Sequence, residues 1–288
     1  MRKREKRSEE QGRRPEARPT SEPRQLAAPA AVPTTAGVRD LFDANARHYD
    51  RVNRVITFGQ DARWRRWAAR QAVGGAAARQ AKAGGRSTAA GVRPMGAGAA
   101  GVPRKVLDAC AGTGLAGLEA ARLGARVTLA DLSAGMLGVA QARAVRLGLN
   151  VDARVVDLAA ATPPFPLKSF DAAILAFGLR YFRDPLEAVS SIAAMLRPGG
   201  EVVVLESVVP PPGLAHQAAE VYFMRVAPAI AASLAGHVAL YRLLTATTRA
   251  TGGADRVLDV IHSAELDVIE RRDFALGLVV GIVARKPS

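Results

Sequence analysis

Three acidic residues stand where acids would have chemistry to do. Asp108 ends a short apolar run that begins at Lys105, Asp131 ends a second run from Arg126, and Asp157 lies at the end of a third from Val151. After the first run comes Gly112-Thr113-Gly114-Leu115-Ala116-Gly117, a literal G-x-G-x-x-G. Glycines there let the backbone turn tightly and approach a ligand closely, and the following helix offers free N–H groups at its N-terminus. The loop alone does not choose a ligand, because Gly/Ala-rich sequences produce this match by chance. The acids do more. A dinucleotide site wants its first glycine directly at the strand end, whereas Asp108 precedes Gly112 by four residues. A carboxylate there repels pyrophosphate and suits a cation. Asp131 can bind two ribose hydroxyls and Asp157 can accept from an adenine amino group. Each acid alone also reads as a loop residue or helix cap. Together, at the carboxyl ends of three successive strands, they face the crevice where doubly wound sheets bind ligands.

The elements that must position these residues alternate along the chain. Strands are expected over 105–110, 126–131, 151–158, 170–177 and 201–207. Helices are expected over 115–123, over 133–147 with Ser133 as N-cap, and over 185–196 before Pro198-Gly199-Gly200. Two late strands, near 266–274 and 276–285, would close the sheet as a hairpin. Strands alternating with helices give an α/β fold, a doubly wound, mostly parallel sheet. Upstream, Val38, Leu41, Phe42, Tyr49 and Val52 have helical spacing, and Asp61 is expected to cap a helix carrying Trp64 and Trp67 on one face. The span 214–249 is helical in composition, and its apolar part, 221–244, suits either a lid over an apolar ligand or ordinary core packing. The expected organisation is a disordered basic tail over 1–36, an N-terminal helical region over 37–73, a flexible Gly/Ala-rich insertion over 74–104 and one catalytic domain over 105–288.

Composition excludes several classes of function. With 288 residues, 49% of them hydrophobic, the chain can bury a sizeable core and is not wholly disordered. The net charge of +14 is local: residues 51–105 hold 12 basic residues and one acidic, while 106–288 hold 17 of each. An RNA-associated role for that block is the weakest alternative and nucleic-acid binding is not expected, because Phe58, Trp64 and Trp67 are the only aromatics of the basic block and all precede the insertion. That block reads either as a solvated linker or as a surface held against anionic lipid. The lone Cys110 excludes an internal disulfide framework and reads as a small core residue. His48 reads as a helix-face residue, and His216, His237 and His262 lack metal-ligand spacing, so no metal is expected. The longest uncharged apolar run, 274–284, falls short of the ~20 residues that span a bilayer. A cytoplasmic protein is expected, peripheral at the inner face of the membrane if the basic block binds lipid.

Two stretches carry a family resemblance. Val106-Leu107-Asp108-Ala109-Cys110-Ala111-Gly112-Thr113-Gly114 resembles the first motif of class I S-adenosylmethionine-dependent methyltransferases, and Leu196-Arg197-Pro198-Gly199-Gly200 resembles another hallmark of that class. S-adenosylmethionine carries an ammonium, a sulfonium and no phosphate, as the acids demand. More narrowly, the chain resembles the ubiquinone/menaquinone C-methyltransferase family. That likeness rests on Leu41-Phe42-Asp43, Tyr49-Asp50, Asn53, Phe58-Gly59, Trp64, Phe165-Pro166, Ser169-Phe170-Asp171, Phe177-Gly178-Leu179-Arg180, Leu205-Glu206 and Tyr241-Arg242. It runs from about Val38 to the C-terminus, interrupted by the insertion.

The resemblance implies a Rossmann-like methyltransferase that methylates a ring carbon of a polyprenyl quinol, most simply demethylmenaquinol. Asp108, Gly112, Thr113 and Gly114 would line the methionine end of the cofactor, Asp131 and Leu132 the ribose, and Asp157 and Leu158 the adenine. Arg180 would stabilise the acceptor's phenolate, with Tyr181 able to hydrogen-bond the ring hydroxyl. Tyr49, Asn53, Phe177 and Tyr241 would contact the acceptor. Two departures point to the alternative, another small phenol, lipid or specialised metabolite as acceptor. Tyr181 stands where the family continues with Asn, and Ala176 stands where it has a small polar residue.

Overall fold

A computed structural model describes residues 35–75, 102–235 and 238–288. The expected tail over 1–36, except its last two residues, and most of the expected insertion lie outside the described residues. The first helix, α1 (Thr35–Ile56), starts slightly before Val38, and α2 (Asp61–Arg70) follows, ending in one π-turn, Gln71–Gly75. The alternating core then runs β1 (Lys105–Ala109), α3 (Leu115–Arg122), β2 (Arg126–Asp131), α4 (Ala134–Arg146), β3 (Val151–Val155), β4 (Phe170–Ala176), α5 (Pro185–Met195) and β5 (Leu196–Ser207). Next come α6 (Leu214–Val221), α7 (Ala227–Ala235), α8 (Val238–Thr251) and α9 (Ala254–Ser263). The chain closes with β6 (Asp267–Phe274) and β7 (Val279–Arg285).

The seven strands form one sheet in the order β3-β2-β1-β4-β5-β7-β6. The first five are parallel, and β7 pairs antiparallel with β5 and β6, so the late hairpin forms as expected. The order reverses between β1 and β4, which opens the crevice for ligands at their carboxyl ends. Helices cover both faces. Leu107, Leu175, Ile192 and Ile261 fill one core, and Trp64, Trp67, Leu129 and Val203 fill the other. The two tryptophans of α2 do share a face, and both rings meet Phe274. Gly281 on β7 makes room for this: a Cβ there would stand 2.5 Å from the Trp67 ring.

Several local expectations shift. Asp61 does not cap α2. It is the first helical residue and its carboxylate accepts from Arg65 Nη1 at 2.7 Å. Ser133 does cap α4, accepting from Met136 N at 3.0 Å. β3 stops at Val155 rather than 158, because Asp157 Oδ1 takes the Ala159 N–H at 2.9 Å and turns the chain. β4 stops at Ala176 because Phe177 adopts a left-handed φ of 62°. The apolar span 221–244 packs in part as core: Ala227, Leu240 and Tyr241 are buried, while Val221 and Val226 are exposed.

Candidate active site

A cavity opens at the carboxyl ends of β1, β2, β3 and β4, and the first three of these are where the sequence places its acids. Asp108, Gly112, Thr113, Asp131, Leu132, Asp157 and Leu158 all line it. Asp131 is fixed by two backbone donors, Gly112 N at 2.8 Å on Oδ2 and Ser133 N at 2.9 Å on Oδ1. Each oxygen keeps a lone pair for a ligand hydroxyl. Asp108 is only 1% exposed and accepts from Gly117 N at 2.7 Å. A Cβ at Gly117 would meet that same carboxylate at 2.7 Å, which explains the last glycine of the loop. Burial pushes the Asp108 carboxyl up to about 7, against the pull of the Gly117 N–H.

Two expected cofactor residues are tied to the surrounding structure. Gly114 is not on the cavity wall. It lies behind it at φ 76°, where a Cβ would stand 2.9 Å from Ala140 on α4. Thr113 lines the cavity, but its hydroxyl is committed, donating to Asp50 Oδ1 at 2.6 Å. Cys110 is left-handed at φ 59° and packs on Gly178, whose Cβ would meet the Cys110 Cβ at 2.6 Å. Burial holds its thiol well above the ordinary range, so it stays protonated.

Helix α1 roofs this cavity with Val38, Arg39, Phe42 and Tyr49. Two acids dock it, and neither is among the ligand-binding residues expected from sequence. Asp43 accepts from Ser133 Oγ at 2.5 Å and from Gly135 N at 2.8 Å at the N-terminus of α4. Asp50 takes the Thr113 hydroxyl and forms an ion pair with Arg143, which also donates to Thr113 O at 2.9 Å.

A second chamber adjoins the first. Asn53, Arg180, Tyr241, Leu244 and Thr248 line it, together with Tyr49, Arg65 and Phe177, which line both. The expected site residues therefore divide between the two spaces. Tyr181 falls in the first chamber, not the second, with its ring edge-on to Phe42 at 5.2 Å. Its buried hydroxyl lies beside Thr247 but meets hydrogen-bond geometry with no described residue. Ala176 also lines the first chamber. Both departures from the family pattern thus face the first chamber, not the second. His48 is exposed on α1, away from both.

Arg180 is not a bare cation. It is 8% exposed, ion-paired through Nη2 to the fully buried Glu206, and donates from Nη1 to Thr248 Oγ1 at 2.7 Å. Glu206 also accepts from Ser207 N at 2.8 Å. Burial works against the Arg180 charge, but Glu206 and the neighbouring Tyr181 and Tyr49 outweigh it and raise the guanidinium's pKa. Its Nε–H is buried without a protein partner among the described residues.

Carboxylates that suit a ribose diol and a cation, in a crevice at the reversal point of a parallel sheet, match S-adenosylmethionine and not a phosphate-bearing nucleotide. The chain is a class I S-adenosylmethionine-dependent methyltransferase. Comparison with known proteins narrows the class. The model of the ubiE/COQ5 methyltransferase family matches residues 31–286, and the chain belongs to that family. A protein of Thermus thermophilus named demethylmenaquinone methyltransferase is 35% identical over 230 residues, 79% of this chain and 92% of that protein. One of the same name from Mycolicibacterium paratuberculosis is 31% identical, over 87% of this chain and 94% of that one. Among solved structures, a SAM-dependent methyltransferase from Aquifex aeolicus aligns with a TM-score of 0.43 at 15% identity, over 63% of this chain and 81% of that one.

Proposed function

We propose that this methyltransferase methylates a ring carbon of a prenylated quinol, demethylmenaquinol in the first instance. The observation that carries the reading is the second chamber, joined to the donor cavity through Tyr49, Arg65 and Phe177, where apolar Ile56, Trp64 and Leu244 stand beside polar groups that include Arg65, Arg180 and Thr248. Such a chamber suits an apolar ring with hydroxyls. The names of the relatives support the same acceptor. In this reading Asp131 holds the cofactor's ribose, Asp108 faces its cationic end, and Asp157 with Leu158 borders the adenine. When bound, S-adenosylmethionine supplies an electrophilic methyl on a sulfonium. The chain's own task is to hold the acceptor carbon in line and to favour negative charge on the neighbouring ring oxygen. Arg180, on the wall of the chamber, does the latter, with Glu206 fixing the guanidinium plane. Purified protein should transfer a labelled methyl from S-adenosylmethionine to demethylmenaquinol. No transfer to it, with turnover of an unrelated phenol, would replace this acceptor.

The substrate's tail leads to a second part of the proposal, a membrane surface. No helix among the described residues is long and apolar enough to cross a membrane. The end of α1 and the turn after it instead present Arg51, Arg54, Val55 and Phe58, all exposed. Phe58 is 74% exposed, with its ring 6.0 Å from Tyr222. Ile56 and Thr57, between these residues, line the acceptor chamber. An aromatic residue beside arginines at a chamber wall suits anionic lipid. Phe58→Asp should reduce co-sedimentation with vesicles containing anionic lipid severalfold. Equal binding of both proteins would remove this surface from the proposal.

A further inference from the structure

Arg65 is a charged residue on the wrong side of its helix. The other arginines of α2, Arg63, Arg66 and Arg70, are exposed, while Arg65 is 8% exposed among Trp64, Ala68 and Ala69 on the face that packs into the core. Asp61, one turn earlier, accepts from its Nη1 at 2.7 Å, and Thr57 Oγ1 donates to Asp61 Oδ1 at 3.1 Å. Burying such a pair costs desolvation that its attraction barely repays, so it is a poor device for stability alone.

Its position indicates what else it does. Arg65 borders both chambers, and its Cζ lies 5.1 Å from the centroid of the Phe177 ring. Arg180 approaches the same ring at 5.9 Å. Two buried guanidiniums, each held by its own carboxylate, Asp61 for one and Glu206 for the other, thus flank one aromatic side chain at the junction of the chambers. A bidentate planar donor fixed by a buried acid is suited to orient an oxygen, because its geometry is set before the ligand arrives.

We propose that Arg65 is a specificity-determining residue that binds the second oxygen of a 1,4-dihydroxyarene while Arg180 binds the first, so that the acceptor is selected for two para oxygens rather than one. This rests on the quinol reading above. The oxygen beside the methylated carbon activates that carbon, whereas the one across the ring lies meta to it and contributes little activation. Removing the far hydroxyl therefore tests recognition rather than reactivity.

The experiment compares a prenylated 1,4-naphthoquinol with the matching 3-prenyl-1-naphthol, which lacks that hydroxyl, in wild type, Arg65→Lys and Arg65→Gln. A site built to hydrogen-bond a hydroxyl rejects the analogue without it. Wild type should lose at least about tenfold in kcat/KM from diol to mono-ol. Arg65→Gln should lose a comparable factor on the diol and little on the mono-ol, with Arg65→Lys in between. Any change in donor binding is common to both acceptors and cancels from the ratio. Should Arg65→Gln fail to fold with Asp61 left unpaired, the double variant Asp61→Asn/Arg65→Gln carries the same comparison. Equal losses on both acceptors would make Arg65 a structural residue and overturn the proposal. Absence of methylation of either acceptor by wild type would overturn the quinol reading itself, and this inference with it.

Discussion

Asparagine in place of Asp108 should weaken S-adenosylmethionine binding by roughly 10- to 100-fold and leave the fold intact. The amide oxygen can still accept from Gly117 N–H, so the helix contact survives and only the charge is lost. Hydrogen bonds to charged groups contribute about 1.5–3 kcal/mol, and each 1.4 kcal/mol is tenfold in affinity. The pH dependence gives a second readout. Burial pushes this carboxyl up to about 7, and a cationic ligand favours its ionised form. Donor affinity should therefore rise severalfold between about pH 6 and pH 7.5, with proton release on binding, and Asp108→Asn should flatten that profile. The sign for folding is opposite. A carboxyl raised above its ordinary 3.8 contributes stability to the donor-free protein that is fully present below that value and lost as pH rises through about 7. Calorimetric titration at several pH values checks the affinity profile, and denaturant unfolding of the donor-free protein over the same range checks the sign for folding. Unchanged affinity in the variant, with a flat wild-type profile, would leave Asp108 as a helix contact only.

The second large effect concerns Arg180. Arg180→Ala strands Glu206, fully buried, without its counter-charge, and should lower stability by about 3–5 kcal/mol. Activity lost in that variant would say nothing of mechanism. The double variant Arg180→Met/Glu206→Leu removes both charges, and pairs replaced by apolar residues of similar volume are often tolerated. It should recover most of the stability, read from the denaturant midpoint, yet remain far below wild type in turnover while binding S-adenosylmethionine within a few-fold of wild type. Recovery of turnover along with stability would make the pair purely structural.

Much of this was legible from local pattern. Asp108 and Asp131 sit at strand ends because alternating apolar runs mark strands, and Ser133 caps α4 because a hydroxyl before a helix has an N–H to accept from. Residues that act through distant partners were not. Glu206 pairs across 26 positions with Arg180, Asp50 reaches 63 positions to Thr113, and Asp43 reaches 90 to Ser133. No periodicity encodes such pairs. Arg65 did leave a signal, an acid and a base four apart on a helix's tryptophan-bearing face, which marks a buried pair rather than a solvated one. The division into two chambers was illegible because it depends on how separate elements pack around Tyr49, Arg65 and Phe177, which no local pattern encodes.

The roof formed by α1 has a consequence for how this enzyme tolerates change. Asp43 and Asp50 fasten the helix directly to α4 and to the glycine loop, through side chains rather than through the chain that leads from Gly75 to Val102. Its position is set at these points of attachment. Change is therefore least tolerated at Asp43 and Asp50, whose loss would release the roof over the cavity while the sheet and the two cores beneath it stay in place.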